Sequence, residues 1–96
     1  MSEELDLVGR VAMSTAGRDK GRSFIIASIA DGNHVFLADG MLRKLAKPKR
    51  KKLKHIVLQP AVVENIRTKL LEGKPVFDAE IRKCLITLGY YAEQQG

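Results

Sequence analysis

The segment Gly-Arg-Val-Ala-Met-Ser-Thr-Ala-Gly-Arg-Asp-Lys-Gly-Arg, residues 9–22, decides how this chain is read. From Gly9 to Ser14 it alternates as a half-buried strand does, with Val11 and Met13 on one face and Arg10, Ala12 and Ser14 on the other. Gly17 and Gly21 then frame Arg18, Asp19 and Lys20, freeing the backbone for a tight turn from whose tip three charged side chains are expected to project. Beyond Gly21 the chain is apolar again through Phe24, Ile25, Ile26, Ala27 and Ile29. Two strands, over 8–14 and 22–30, therefore meet at a glycine-framed basic loop.

Working outward, Asp31-Gly32-Asn33 separates two hydrophobic runs and predicts a hairpin whose Gly and Asn take positive φ, so a third strand spans His34 to Ala38. Asp39-Gly40 makes the next turn, and Met41, Leu42 and Leu45 can anchor a short piece of chain before Pro48 interrupts the ladder. A fourth strand is expected over Lys51 to Leu58, with Leu53, His55 and Val57 on one face and Lys52, Lys54, Ile56 and Leu58 on the other. At Pro60 the period changes: Val63, Ile66 and Leu70 recur at helical spacing, Gly73 stops the helix and Pro75 opposes its resumption. Asp78 is the expected N-cap of a second helix, Glu80 falls in its first turn, and Ile81, Leu85 and Leu88 form its apolar stripe up to Gly89. Helices this short need a surface to pack on. Packing on the sheet is the default reading, and a protein-docking face is the alternative.

The architecture expected is mainly β with C-terminal helices: a small antiparallel barrel over 1–58 that includes the basic segment 43–55, then two short α-helices in 59–96 packed on it as a single compact unit. Tyr90 and Tyr91 are placed to pack back, and residues 1–6 and 92–96 are expected to be loose.

Ninety-six residues suffice for one domain with a modest core. Hydrophobic residues make up 45% of the chain without a run as long as a membrane span, so a soluble globular protein with no membrane role is expected. Met1-Ser2-Glu3-Glu4 is acidic where a secretory leader would be basic, and Cys84 is the lone cysteine, both consistent with a cytoplasmic protein. The net charge of +6 is unevenly placed: residues 1–42 carry −2, residues 56–96 carry zero, and residues 43–55 carry +8. The eight cations are Arg43, Lys44, Lys47, Lys49, Arg50, Lys51, Lys52 and Lys54, with no acid among them. Such a run repels itself, and a polyanion relieves the repulsion. Because Lys and Arg neutralise phosphates and release condensed counterions, these eight, joined by Arg18, Lys20 and Arg22 of the loop, are the candidate RNA-binding residues. The plainer reading is a solvated charge run, and Pro48 amid like charges leaves open whether 43–55 is ordered before RNA binds.

A strand, a loop ending in Gly17-x-x-Lys20-Gly21 and a second hydrophobic strand together resemble the KOW motif, from about Val8 to Ala30. On that resemblance Gly17 is similar to the motif's central glycine, and Lys20 with Gly21 to its basic-glycine pair, so both glycines shape the loop. The similarity continues through Ala38-Asp39-Gly40 and Arg43-Lys44. It implies a small bacterial RNA-binding protein with an SH3-like barrel, related to ribosomal large-subunit proteins, whose partner is ribosomal RNA. In other relatives KOW modules serve transcription, which leaves a second implication open: an interaction module docking RNA polymerase or another protein.

Other chemistries find little support. Cys84 lies in an apolar helical stretch that suits a buried hydrophobe better than a nucleophile. His34 and His55 lack neighbours at metal-ligand spacing, so no metal is expected. No Gly-x-x-x-x-Gly-Lys-Ser/Thr or Gly-x-Gly-x-x-Gly occurs. An enzyme, a cofactor and a small-molecule substrate are therefore not expected. Phe24, Phe36, Phe77, Tyr90 and Tyr91 do not interleave with the basic run, so recognition by shape and phosphate is expected over base stacking. A DNA-binding role is disfavoured because no helix carries the cations in a form suited to the major groove.

Overall fold

Each strand expected before residue 40 forms close to where the alternation puts it. The computed structural model describes residues 5–91. After a 3-10 turn at Leu5–Leu7 come β1 (Arg10–Ser14), β2 (Ser23–Asp31), β3 (His34–Ala38), β4 (Lys49–Lys52) and β5 (Ile56–Val62), then α1 (Glu64–Glu72) and α2 (Asp78–Thr87). The strands form one antiparallel sheet in the order β4-β3-β2-β1-β5. Among the described residues no helix is long and apolar enough to cross a membrane.

The single fourth strand expected over Lys51 to Leu58 is instead two. β4 ends at Lys52, a 3-10 turn occupies Leu53–His55, and β5 begins at Ile56. This break bends the whole sheet, because β4 and β5 are its opposite edges. In a flat sheet they would lie about 19 Å apart, four strand spacings of ~4.8 Å. A 3-10 link between Lys52 and Ile56 advances only about 8 Å. The sheet must therefore curl enough to bring the end of β4 to the start of β5.

The curl makes two cores. On its concave side Ala12, Phe24, Ile26, Val35 and Leu37 are buried, with Leu53 and Ile56 from the joined edges packed against them. On the other side Val11, Ile25 and Ala38 are covered by Val63, Ile66, Ile81 and Leu85. Ser23 through Ile26 are buried on both faces, so β2 opens on an unbroken buried run whose apolar part is Phe24 to Ile26. Burying a side chain such as Ile66, Ile81 or Leu85 contributes roughly 1.5–3 kcal/mol. The helices therefore complete a core of the sheet, and the boundary expected at residue 58 falls inside β5, which continues to Val62. Tyr90 and Tyr91 do pack back on this second core. Residues 1–4 and 92–96, expected to be loose, lie outside the described residues.

Three local expectations change. Pro60 does not open a helix. It lies in a bulge of β5, where Arg10 faces Val62 but Ala12 faces Leu58, and an edge strand tolerates the missing N–H. Arg10 Nε braces the bulge by donating to the Gln59 carbonyl at 2.7 Å. Asp78 is not the N-cap of α2: Phe77 holds that position, and its N–H donates to Glu80 Oε2 at 2.8 Å. Asp78 is the first helical residue, and its Oδ1 accepts the Leu45 N–H at 2.8 Å, tying the β3–β4 connection to the helix. The Gly32-Asn33 hairpin forms without positive φ at either residue. Its turn is organised instead by Asp31 Oδ1, which accepts the Asn33 N–H at 2.8 Å and lies 2.9 Å from His34 Nδ1.

Candidate nucleic-acid interface

The glycine-framed loop is held by its own backbone. Gly21 N–H donates to the Ser14 carbonyl at 2.8 Å, Ser14 N–H to Arg22 at 2.9 Å, and Arg22 N–H to Asp19 at 2.9 Å. Gly17 and Gly21 have φ of 75° and 86°, the left-handed region that the loop-shaping role requires. Arg18, Lys20 and Arg22 are exposed, but Asp19 is not the third projecting charge. It turns inward to 5% exposure, and its Oδ2 accepts from Arg43 Nε at 3.1 Å with Nη2 also at 3.1 Å.

Arg43 is delivered there by a turn written in the sequence Ala38-Asp39-Gly40. Asp39 Oδ1 accepts N–H bonds from Met41 at 2.8 Å and Arg43 at 2.9 Å, while the Asp39 N–H donates to the Arg43 carbonyl at 2.9 Å. Asp39 thus holds both the N–H of Arg43, through its carboxylate, and the Arg43 carbonyl, through its own N–H; the carboxylate lies in the interior of the fold. It is fully buried, and its Oδ2 has no partner among the described residues.

The basic segment is built into the fold, as turns through 40–47 and then β4. β4 pairs with β3 so that Lys51 lies opposite Val35 and Lys49 opposite Leu37, on the concave face, while Arg50 and Lys52 face the other way. Lys51 is only 8% exposed, and its Nζ donates to the Ala16 carbonyl at 2.6 Å. Arg50 Nη2 bonds Asp31 Oδ2 at 2.8 Å. The Asp31 carboxyl titrates at about 2, held down first by its hydrogen bond with His34, then by the Asn33 N–H and by Arg50.

The cations therefore divide. Lys51, Arg43 and Arg50 are engaged within the chain, and Lys51 in particular does not present its charge to solvent. Arg18, Lys20, Arg22, Lys44, Lys47, Lys52 and Lys54 are exposed, and among the described residues their side chains have no hydrogen-bond or ion-pair partner; Lys49 is half-buried and likewise unpartnered. Three contacts join the loop to the segment: Lys51 to Ala16, Arg43 to Asp19, and the Thr15 N–H to the His55 carbonyl at 2.9 Å. The two basic stretches, remote in sequence, are neighbours in space. No known family model matches this chain.

Beside the segment lie two shallow concavities that share His34 and Lys52. One, of about 290 Å³, is lined by Lys49 to Lys52 with His34 and His55. The other, of about 360 Å³, is lined by Asn33, His34, Lys52, Leu53 and Lys54. Phe24 is fully buried and Phe36 half-buried, as strand packing expects. Cys84 is half-buried, and burial raises its thiol pKa above the ordinary value, which weakens it as a nucleophile. No cluster of three His, Cys, Asp or Glu side chains suited to a metal occurs among the described residues. Sequence reasoning placed Asp31 and Asp39 in turns but missed the partners their carboxylates take, and it missed the inward pairing of Asp19 with Arg43. An acid flanked by Arg18 and Lys20 inside a glycine-framed loop was the available signal for Asp19.

Proposed function

We propose that this protein is a non-catalytic, cytoplasmic RNA-binding protein that grips structured RNA by its phosphates, with ribosomal RNA of the large subunit as the favoured target. The observation that carries the reading is the set of seven exposed cations, unpartnered among the described residues, contributed by the 15–22 loop and the 43–55 segment, which touch each other. Their mutual repulsion is relieved by a polyanion, and several phosphates can be engaged at once. The curled five-stranded sheet, with its edge strands joined by one 3-10 turn, is read here as a KOW-type SH3-like barrel. The resemblance of Gly17-x-x-Lys20-Gly21 to that motif supports the ribosomal assignment.

The test is sedimentation of the tagged protein through a sucrose gradient at low and raised salt, followed by crosslinking and sequencing of bound RNA. Co-migration with the large subunit and crosslinks in one ribosomal RNA region are expected. Protein at the top of the gradient with scattered crosslinks would overturn the reading. A second reading, a transcription-associated module that docks RNA polymerase or another protein, is favoured by one observation. A largely apolar groove of about 480 Å³ lies between α2 and the junction of β5 with α1, lined by Val62, Val63, Cys84 and Leu88 together with Glu64, Asn65, Lys83 and Thr87, and Leu88 is 46% exposed. Retention of RNA polymerase on the tagged protein after nuclease treatment would favour it.

A further inference from the structure

Three charged residues that a count of charges would assign to RNA contact or repulsion are used inside the protein. Lys51 is 8% exposed, and its ammonium donates to Ala16 at 2.6 Å, immediately before the first glycine of the loop. A Cβ at Gly17 would lie 3.3 Å from that ammonium, so the lysine tip sits directly under the loop backbone. Asp19, at the loop's centre, is 5% exposed and bound to Arg43, whose own backbone is fixed by Asp39. The loop is thereby pinned at its start and at its centre by two cations from the far segment.

We propose that Lys51 and the Asp19–Arg43 pair are positioning residues that hold the loop in the shape that presents Arg18, Lys20 and Arg22, rather than phosphate contacts themselves. The inference rests on the RNA-binding reading, which it deepens by dividing the basic surface into an inner set that builds and an outer set that binds. Preorganisation of this kind raises affinity by sparing the ordering of loop and side chains on binding. It also separates two quantities that a phosphate contact joins. Losing a phosphate contact weakens binding and makes the salt dependence shallower by about one. Losing a pin weakens binding and leaves the salt dependence as it was.

Asp19→Asn gives the sharpest separation. It removes a negative charge from the basic surface and releases Arg43, so electrostatics alone demands tighter RNA binding. The positioning role demands weaker binding, by roughly 3- to 10-fold. Lys51→Met keeps the buried stem and removes only the ammonium. Both variants and wild type are titrated with end-labelled large-subunit ribosomal RNA across a salt series. Amide hydrogen exchange is followed at Gly21 and Arg22, whose N–H groups bond Ser14 and Asp19, with sheet amides as the control for global folding. Weaker binding at unchanged slope, with faster exchange at Gly21 and Arg22 and unchanged sheet protection, is expected. Tighter binding by Asp19→Asn, or a slope shallower by about one in Lys51→Met, overturns the assignment. If wild type binds no RNA, the functional reading falls and exchange at the two amides still decides: faster exchange supports the pins, and unchanged exchange overturns them.

Discussion

Replacing Gly40 with alanine tests how tightly the β3–β4 connection is locked to α2. Gly40 has φ of +80°, and a Cβ there would overlap the Asp78 carbonyl oxygen while lying 3.0 Å from the Asp78 carbonyl carbon and 3.1 Å from the Arg82 nitrogen. The left-handed backbone alone costs an alanine about 1–2 kcal/mol. Relief of the overlap requires the first turn of α2 to move away, which breaks the bond from the Leu45 N–H to Asp78 Oδ1 and adds about 1–3 kcal/mol. The total, roughly 2–5 kcal/mol, is a large part of the ~5–15 kcal/mol that a small domain possesses. Gly21→Ala is the internal control, because Gly21 has φ of +86° with nothing within 4 Å of its Cβ position, so only the backbone contribution applies. Urea unfolding followed by far-ultraviolet circular dichroism measures both. A Gly40→Ala variant no less stable than Gly21→Ala would refute the close approach of turn and helix.

The core and the titrating groups supply further tests. Leu85→Ala empties a fully buried position between the sheet and the helices, and should cost about 2–5 kcal/mol in the same unfolding assay; a loss below about 1 kcal/mol would mean that α2 is peripheral. Asp31 is lowered from its ordinary 3.8 to about 2, so its contribution to stability is complete above pH 3.8 and is lost as pH falls through about 2. Asp31→Asn should therefore flatten the acid limb of the stability profile in that window, and an unchanged limb would contradict the His34 and Arg50 contacts. The pH midpoint for alkylation of Cys84 should lie above that of an ordinary thiol in the folded protein and revert toward it in urea, because burial is the main cause of the rise.

How much of this was legible in the sequence depends on the range of the forces involved. β1 to β3 were readable because alternation and turn residues act locally, as with Val11 and Met13 or Asp31-Gly32-Asn33. Residues 51–58 were not, because Leu53, His55 and Val57 alternate with Lys52, Lys54 and Ile56 as one strand would, and only the need to join the end of β4 to the start of β5 breaks the run and brings Leu53 and Ile56 onto one core. Pro60 signals a helix start and an edge bulge equally well, and its pairing with β1 decides between them. Phe77 took the N-cap from Asp78 because Asp78 was recruited by Leu45, a partner 33 residues away. In the basic surface the residue types were visible and their division was not. Lys51 and Lys52 look equivalent in sequence, yet the two-residue period of β4 turns one toward Ala16 and leaves the other in solvent. Asp19 was hidden for the same reason, since its partner Arg43 comes from another turn.

The central claim, that the exposed cations bind RNA through its phosphates, is tested most directly by the affinity of the wild-type protein for structured ribosomal RNA as a function of salt. Engagement of all seven predicts a log–log slope of about −5 to −6, and partial engagement at least about −3. Arg18, Lys20 and Arg22 changed together to glutamine should make the slope shallower by about 2–3. A wild-type slope near zero, or one that this triple variant leaves unchanged, would contradict the account.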